Sequence, residues 1–399
     1  MMRRYLRTIG KWETVLFVVI VLLILPYRVK GDDMKVIEDL KPTHKEKSSQ
    51  SLKLIKVIPL DIDDENFMVQ PFSITVDKTG NIFVFDRILV SIFKFDNKFR
   101  FVKRFGNKGR GPWEIGESSR GGGFSIKKLN ISFDNRLLVS DPANRKILAF
   151  NSDGAFLEEY PIFREKYLGS FYPLIDEKNN FYILSSKGGA VDVLSKDSKE
   201  IHTFLCPADM LRCFADGCVG VPNKNKLWFV RYISLPTESS VYYDLLPKNR
   251  FIIYLTYSST MYLFENFERI KSMDIIPEGA MRTWLNEISE GKETEKKIKK
   301  EMSKKNLDSQ QVVSFGYFPL FKEFFIDKDD QEHFYLRGYK NREENCEVLY
   351  KFDLDGRLIK VLYYSIGDIE DYCNIHEKRN NLFYGLGGNN IYIFQEEKK

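Results

Sequence analysis

Apolar and polar positions alternate along most of this chain in short runs, each broken by a cluster of Asp, Asn or Gly. The stretches "ITVDKTGNIFVFD" (74–86), "ISFDNRLLVSD" (131–141), "LIDEKNNFYILS" (174–185) and "FIDKDDQEHFYLR" (325–337) share one order. A short strand leads into a polar turn, and a second strand of aromatic or β-branched residues follows. That order predicts a hairpin. A second hairpin comes after several of these, in "SIFKFDNKFRFVKRF" (91–105), "ILAFNSDGAFLEEY" (147–160) and "VLYKFDLDGRLIKVLYY" (348–364). The predicted unit is therefore four antiparallel strands, with polar residues and glycine marking the turns after the first and third. Weaker copies lie at "VGVPNKNKLWFVRY" (219–232) and "LLPKNRFIIYLTYSSTMYLFENFERIKSM" (245–273). A final copy, "IHEKRNNLFYGLGGNNIYIF" (375–394), stops after three strands.

Four-stranded units repeating every roughly 40 to 60 residues are the mark of a β-propeller, in which each unit is one blade around a central channel. A lone blade cannot cover both its faces; stacked neighbours can, and closing the ring removes free edges. The three-stranded last copy fits closure, because "LKLIKVIPLDI" (52–62) can supply its missing strand from the other terminus. The expected fold is all-β, a propeller of six blades over residues 52–399. Seven stay possible because of the fragmentary copy at 217–233.

One departure from the pattern is "PEGAMRTWLNEISEGKETEKKIKKEMSKKNLDSQQ" (277–311). Met281, Trp284, Leu285 and Ile288 fall at i, i+3, i+4 and i+7, one apolar stripe on a short helix. An insertion this long has three readings: a cap packed on the rim, a membrane-surface helix, or a partner-docking element with Trp284, Leu285 and Ile288 as its anchors.

The glycine-rich segment "FGNKGRGPWEIG" (105–116) resembles a phosphate-cradling loop. It lies between the outer strand of one unit and the inner strand of the next, with no helix after it and no Lys followed by Ser or Thr, so a blade-to-blade crossover is expected instead. The pattern "VDKTGNIFVFD", then "ANRKILAFNSDG", with a "GRGPWE" crossover, resembles the bacterial six-bladed β-propeller family related to NHL repeats. Crossovers of that family commonly read Gly-x-Gly-Pro-Gly-Glu; here Trp113 replaces the last glycine. The likeness spans about residues 55–395 and is loose between 200 and 320. It implies a six-bladed ring exported from the cytoplasm, and little about activity.

The first thirty residues are different in kind. "MMRRYLRTIGKW" carries Arg3, Arg4, Arg7 and Lys11, and an uncharged run from Thr14 to Tyr27 follows. This is a basic region followed by an apolar one, a signal-anchor or signal peptide. Fourteen helical residues reach about 21 Å, short of the roughly 30 Å hydrocarbon core, which suits a cleaved signal. The absence of a small-x-small site in "PYRVKGDD" (26–33) favours an anchor. In either case the positive-inside rule sends the remainder across the membrane, so the expected location is the cell envelope, or outside it if the signal is cut. Residues 31–51 read as a polar tether.

Composition narrows the functions. With 61 basic and 56 acidic residues in 399, the surplus of +5 is too small to argue for nucleic acid. Four histidines leave little material for a histidine-based catalytic site, and no cofactor or catalytic residue is expected. His202, Cys206, Cys213 and Cys218 form the best metal-ligating cluster, but their spacing departs from paired Cys-x-x-Cys; a disulfide among the three cysteines competes with zinc. Cys346 and Cys373 form a second possible bridge.

A recurring pattern carries the functional expectation. Arg87, Arg145, Lys187, Arg231 and Arg337 stand at or just after the second strand of successive units. With Arg110 and Trp113 of the crossover they are expected to ring one mouth of the channel. There they would attract an anionic small molecule, a glycan or an acidic protein, unless they pair with neighbours such as Asp86 and Asp141. The resulting expectation is an exported, membrane-tethered binding or scaffolding propeller. The alternatives are a metal-dependent propeller lyase or hydrolase at the same mouth, and a purely structural envelope protein.

Overall fold

The computed structural model describes residues 48–116, 129–162, 174–184, 190–197, 199–205, 218–223, 226–231, 241–255, 259–283, 286, 321–338, 346–366 and 373–397. The chain divides into two units, Met1–Lys41 and Pro42–Lys399. The first lies outside the described residues, with the predicted anchor and most of the tether. All that follows concerns the second. Among the described residues no helix is long and apolar enough to cross a membrane.

Among the described residues, six antiparallel four-stranded sheets form the blades. Blade 1 consists of Pro71–Val76, Ile82–Asp86, Ser91–Phe95 and Phe101–Phe105. Blade 2 consists of Leu129–Ile131, Leu137–Asp141, Lys146–Phe150 and Phe156–Pro161. Leu174–Ile175, Phe181–Leu184, Ala190–Leu194 and Glu200–Leu205 make blade 3. Blade 4 is Val241–Leu246, Arg250–Leu255, Thr260–Glu265 and Glu268–Asp274. Blade 5 is Glu323–Ile326, His333–Arg337, Glu347–Asp353 and Leu358–Tyr364. Blade 6 takes Asn374–Arg379, Leu382–Gly387 and Asn390–Glu396 from the C-terminal end and its outer strand, Ser49–Pro59, from the other.

The closing strand pairs antiparallel with Asn390–Glu396 from Leu52 to Pro59, and its first residues, Ser49–Ser51, pair in parallel with Val361–Tyr363 of blade 5. One strand thus ties the last blade and its neighbour together. Within 217–233, the strands Cys218–Asn223 and Lys226–Arg231 pair with each other and, among the described residues, with no other strand.

Apolar side chains collect at the seams between blades. Val84, Phe93 and Phe95 of blade 1 pack with Tyr384, Ile391 and Ile393 of blade 6; Tyr182 and Phe204 of blade 3 pack with Phe251 and Phe264 of blade 4. Every residue of Ile82–Asp86, Ser91–Phe95, Leu137–Asp141 and Lys146–Phe150 is buried. Middle strands are covered on both faces, so their sequences are near-continuously apolar rather than alternating. Each fully buried Val, Leu, Ile or Phe side chain contributes about 1.5–3 kcal/mol.

The turns are capped locally. Asp77 Oδ1 accepts from the amides of Thr79 and Asn81, Asp176 Oδ1 from Lys178 and Asn180, and Asp327 Oδ1 from Asp329 and Asp330. In blade 2 Ser132 takes this place, accepting from the Arg136 amide at 2.9 Å, while Asp134 pairs with the Arg136 guanidinium. These carboxylates are turn-makers, as Asx chemistry predicts. Gly80 completes the first turn at φ 88°, a backbone angle that side chains resist.

All six outer strands carry a β-bulge at the same place. The register shifts by one residue around Val102, Leu157, Ile201, Ile270, Ile359 and Ile55. Each extra residue is a large aliphatic, 39–52% exposed. A bulge bends an edge strand and interrupts its ladder, so the outer rim is a poor template for another chain.

Candidate functional site

In these blades the loops after second strands and the crossovers after fourth strands lie at one end of the channel, and the turns after first and third strands at the other. The crossover 105–116 folds on itself: Glu114 Oε2 accepts from the Gly111 amide at 2.7 Å, the Gly109 amide donates to Ile115 O, and Asn107–Lys108 pairs in parallel with Glu114–Ile115. Its Gly109 and Gly111 amides are thus engaged internally, and the segment makes no phosphate cradle. Lys146, buried at the start of a third strand, donates to Gly111 O and Pro112 O and pairs with Glu159 at 3.0 Å. Asn144 Nδ2 donates to Gly109 O. These bonds bring Arg110, Trp113 and Arg145 together at the seam of blades 1 and 2, all three exposed.

Asp86 and Asp141 do not pair with the arginines beside them. Asp86, fully buried, accepts from the amides of Val69, Gln70, Ile88 and Leu89 at 2.6–2.8 Å. Asp141 accepts from the Gly116 amide and from Asn144. Backbone donors delivered by the fold outcompete side-chain cations that can remain hydrated. Arg87 instead bonds Gln70 Oε1 at 3.2 Å and lies 5.8 Å from the Phe72 ring centroid.

The expected basic ring is broken elsewhere. Arg337 is buried; it pairs with Glu323 at 3.3 Å and lies 4.0 Å from Glu347. Burial alone would lower its pKa, but Glu323, Tyr364 and Glu347 together hold it above the ordinary value. It ties the first three strands of blade 5 together rather than facing a ligand. Arg231 ends the second strand of the hairpin Cys218–Arg231, and its side chain lies outside what is described. Lys187 lies outside the described residues.

The first strands of all six blades line an axial cavity of about 70 Å³. Its polar lining comes in acid–base pairs: Glu323 with His376 Nδ1, Asp244 with Lys328 at 2.7 Å, and Glu377, whose Arg379 partner is 3.2 Å away. Sequence reasoning missed these residues. Glu323 and His376 are 53 positions apart on different blades, and only ring closure places them together.

At the turn end the channel widens to about 270 Å³. Neighbouring turns are stitched together: the Lys78 amide donates to Asn135, Arg136 to Asn179, and the Asn380 and Asn381 amides to Asp329. The Asp329 carboxyl lies below the usual carboxylate range; burial opposes this, but the Asn381 amide, the Lys378 ammonium and the Asn380 amide prevail.

Of the cysteine–histidine cluster, Cys206 and Cys213 lie outside the described residues, and Cys218 is described by its backbone alone. His202 stacks on Phe267 at 4.8 Å, and burial lowers its pKa. Among the described residues no group of three or more His, Cys, Asp or Glu side chains is placed to hold a metal. Cys346 and Cys373 are buried and unbridged. The Cys373 sulfur lodges against Gly385 of its own blade, where an added Cβ would lie 2.5 Å from it. Of the predicted insertion, a helical turn at 278–283 and Asn286 are described, with Ala280 buried. Trp284, Leu285 and Ile288 lie outside the described residues.

Fold and channel define this protein as a six-bladed β-propeller. A family, DUF5128, described as a 6-bladed beta-propeller, matches residues 29–211, which include the first three blades. Similar solved structures include virginiamycin B lyase from Staphylococcus aureus, at 10% identity and TM-score 0.45, covering 86% of this chain and 99% of that one. Another is a DUF4221-family protein from Bacteroides vulgatus, at 10% identity and TM-score 0.46, covering 88% and 99%. Likenesses below a TM-score of 0.5 transfer no property to this chain. Among curated protein sequences, no relative matches.

Proposed function

We propose that this chain is an exported, membrane-tethered propeller that binds an anionic ligand, a small molecule, glycan or acidic protein segment, at the crossover mouth. The observation that carries this reading is the inward turn of the rim carboxylates. Asp86, Asp141 and Glu114 are bound to backbone amides, and among the described residues no carboxylate pairs with Arg87, Arg110 or Arg145. A rim of cations without counter-charges favours an anion. Trp113, 53% exposed, adds an apolar contact beside them. The N-terminal basic and apolar segments support the tether.

The test is native mass spectrometry of the full-length protein from membranes, with the triple variant R87Q/R110Q/R145Q alongside. An acidic species should co-purify with the parent and be lost from the folded variant; equal retention refutes the reading. Protease accessibility in intact cells tests export.

A lyase or hydrolase reading has one observation in its favour, the imidazole of His376 oriented by Glu323 inside the channel. An H376A variant that leaves every turnover assay unchanged removes it.

A further inference from the structure

We infer that the turn-end mouth of the channel is a second binding site, independent of the crossover mouth, and that it takes a neutral polyhydroxylated ring of monosaccharide size. Each of the six first turns bordering this mouth is described, and the bonds between neighbouring turns fix its shape before any ligand arrives. Such preorganisation lowers the cost of binding.

The lining selects the chemistry. Lys328 is matched by Asp244, Arg379 by Glu377, and Asp329 by Lys378, so the mouth has little appetite for net charge. Lys78 Nζ donates to Phe133 O at 2.6 Å. Against these donors stands an acceptor in need: Gln331 Oε1 is buried and has no hydrogen-bond partner. A buried, unpaired carbonyl costs about 1–3 kcal/mol until something donates to it.

Hydroxyl groups both donate and accept, so a polyol can serve Gln331 and the carboxylates as donor and Lys78 and Arg379 as acceptor. Phe133, Leu174 and Leu245 supply an apolar wall for the carbon face of such a ring. The volume of about 270 Å³ falls just below the roughly 300–1,000 Å³ of drug-sized sites, which limits the occupant to one ring.

The experiment is calorimetry and saturation-transfer NMR on the full-length protein. The probes are methyl glycosides of glucose, galactose, mannose and N-acetylglucosamine at about 10 mM, with sodium sulfate as a charge control. At least one glycoside should bind at one per chain, and Q331L and F133A should each weaken it about tenfold while melting as folded proteins. Absence of binding across the panel overturns the inference. So does an affinity unchanged in both variants, and so does sulfate competing as well as a glycoside, which would make this a simple anion site.

Discussion

Arg337 decides whether the basic mouth is five-sided or broken, and its replacement by methionine is the sharpest test of that distinction. The guanidinium is 7% exposed, and its partners Glu323 and Glu347 are 12% and 14% exposed at 3.3 and 4.0 Å. Glu347 Oε2 has no hydrogen bond, so Arg337 is its compensation. Met fills similar volume but leaves two carboxylates buried beside each other. Removing one partner of a buried ion pair costs about 3–5 kcal/mol. For a unit of roughly 350 residues, that is a fall of about 4–7 °C in melting temperature. Thermal melts at pH 7 would measure it. If R337M melts within 1 °C of the parent, Arg337 is not structural, and the expected ring of cations regains a member.

Three further outcomes are expected. Lys146→Met should loosen the crossover, seen as faster amide exchange at 107–115, because its ammonium holds Gly111 O and Pro112 O; unchanged exchange would refute the clamp. Asp329, with its pKa lowered, contributes stability that is complete above about pH 4 and lost as pH falls, while Lys378, with its pKa raised against the effect of burial by Asp329 and Asp327, contributes stability lost at strongly alkaline pH. D329N should flatten the acid limb of the stability profile, and an unaltered limb would count against this assignment. Ile270→Ser should change stability by under about 0.5 kcal/mol, and deleting Ile270 should also be tolerated, because Arg269 and Lys271 already pair with the consecutive residues Phe264 and Leu263 and keep those partners and faces without it; a large loss on deletion in urea titrations would contradict the bulge.

The sequence by itself determined what contiguous residues can settle. Asp77, Asp176 and Asp327 cap their own turns through amides two to four residues away, so the hairpins, and from their repetition the propeller, were legible. The three-stranded last copy likewise pointed to closure by the segment at 52–62. Tertiary structure alone decided the rest. Locally, "LWFVR" and "FYLR" read alike, yet among the described residues one ends a strand paired with a single neighbour and the other buries its arginine between two carboxylates. The aliphatic bulge residues match an alternating strand until cross-strand register exposes them. The Glu323–His376 pair and the turn-end mouth exist only because closure brings first strands from distant parts of the chain to one axis. A side chain's partner there is set by the blade beside it, which the neighbouring residues in sequence do not encode.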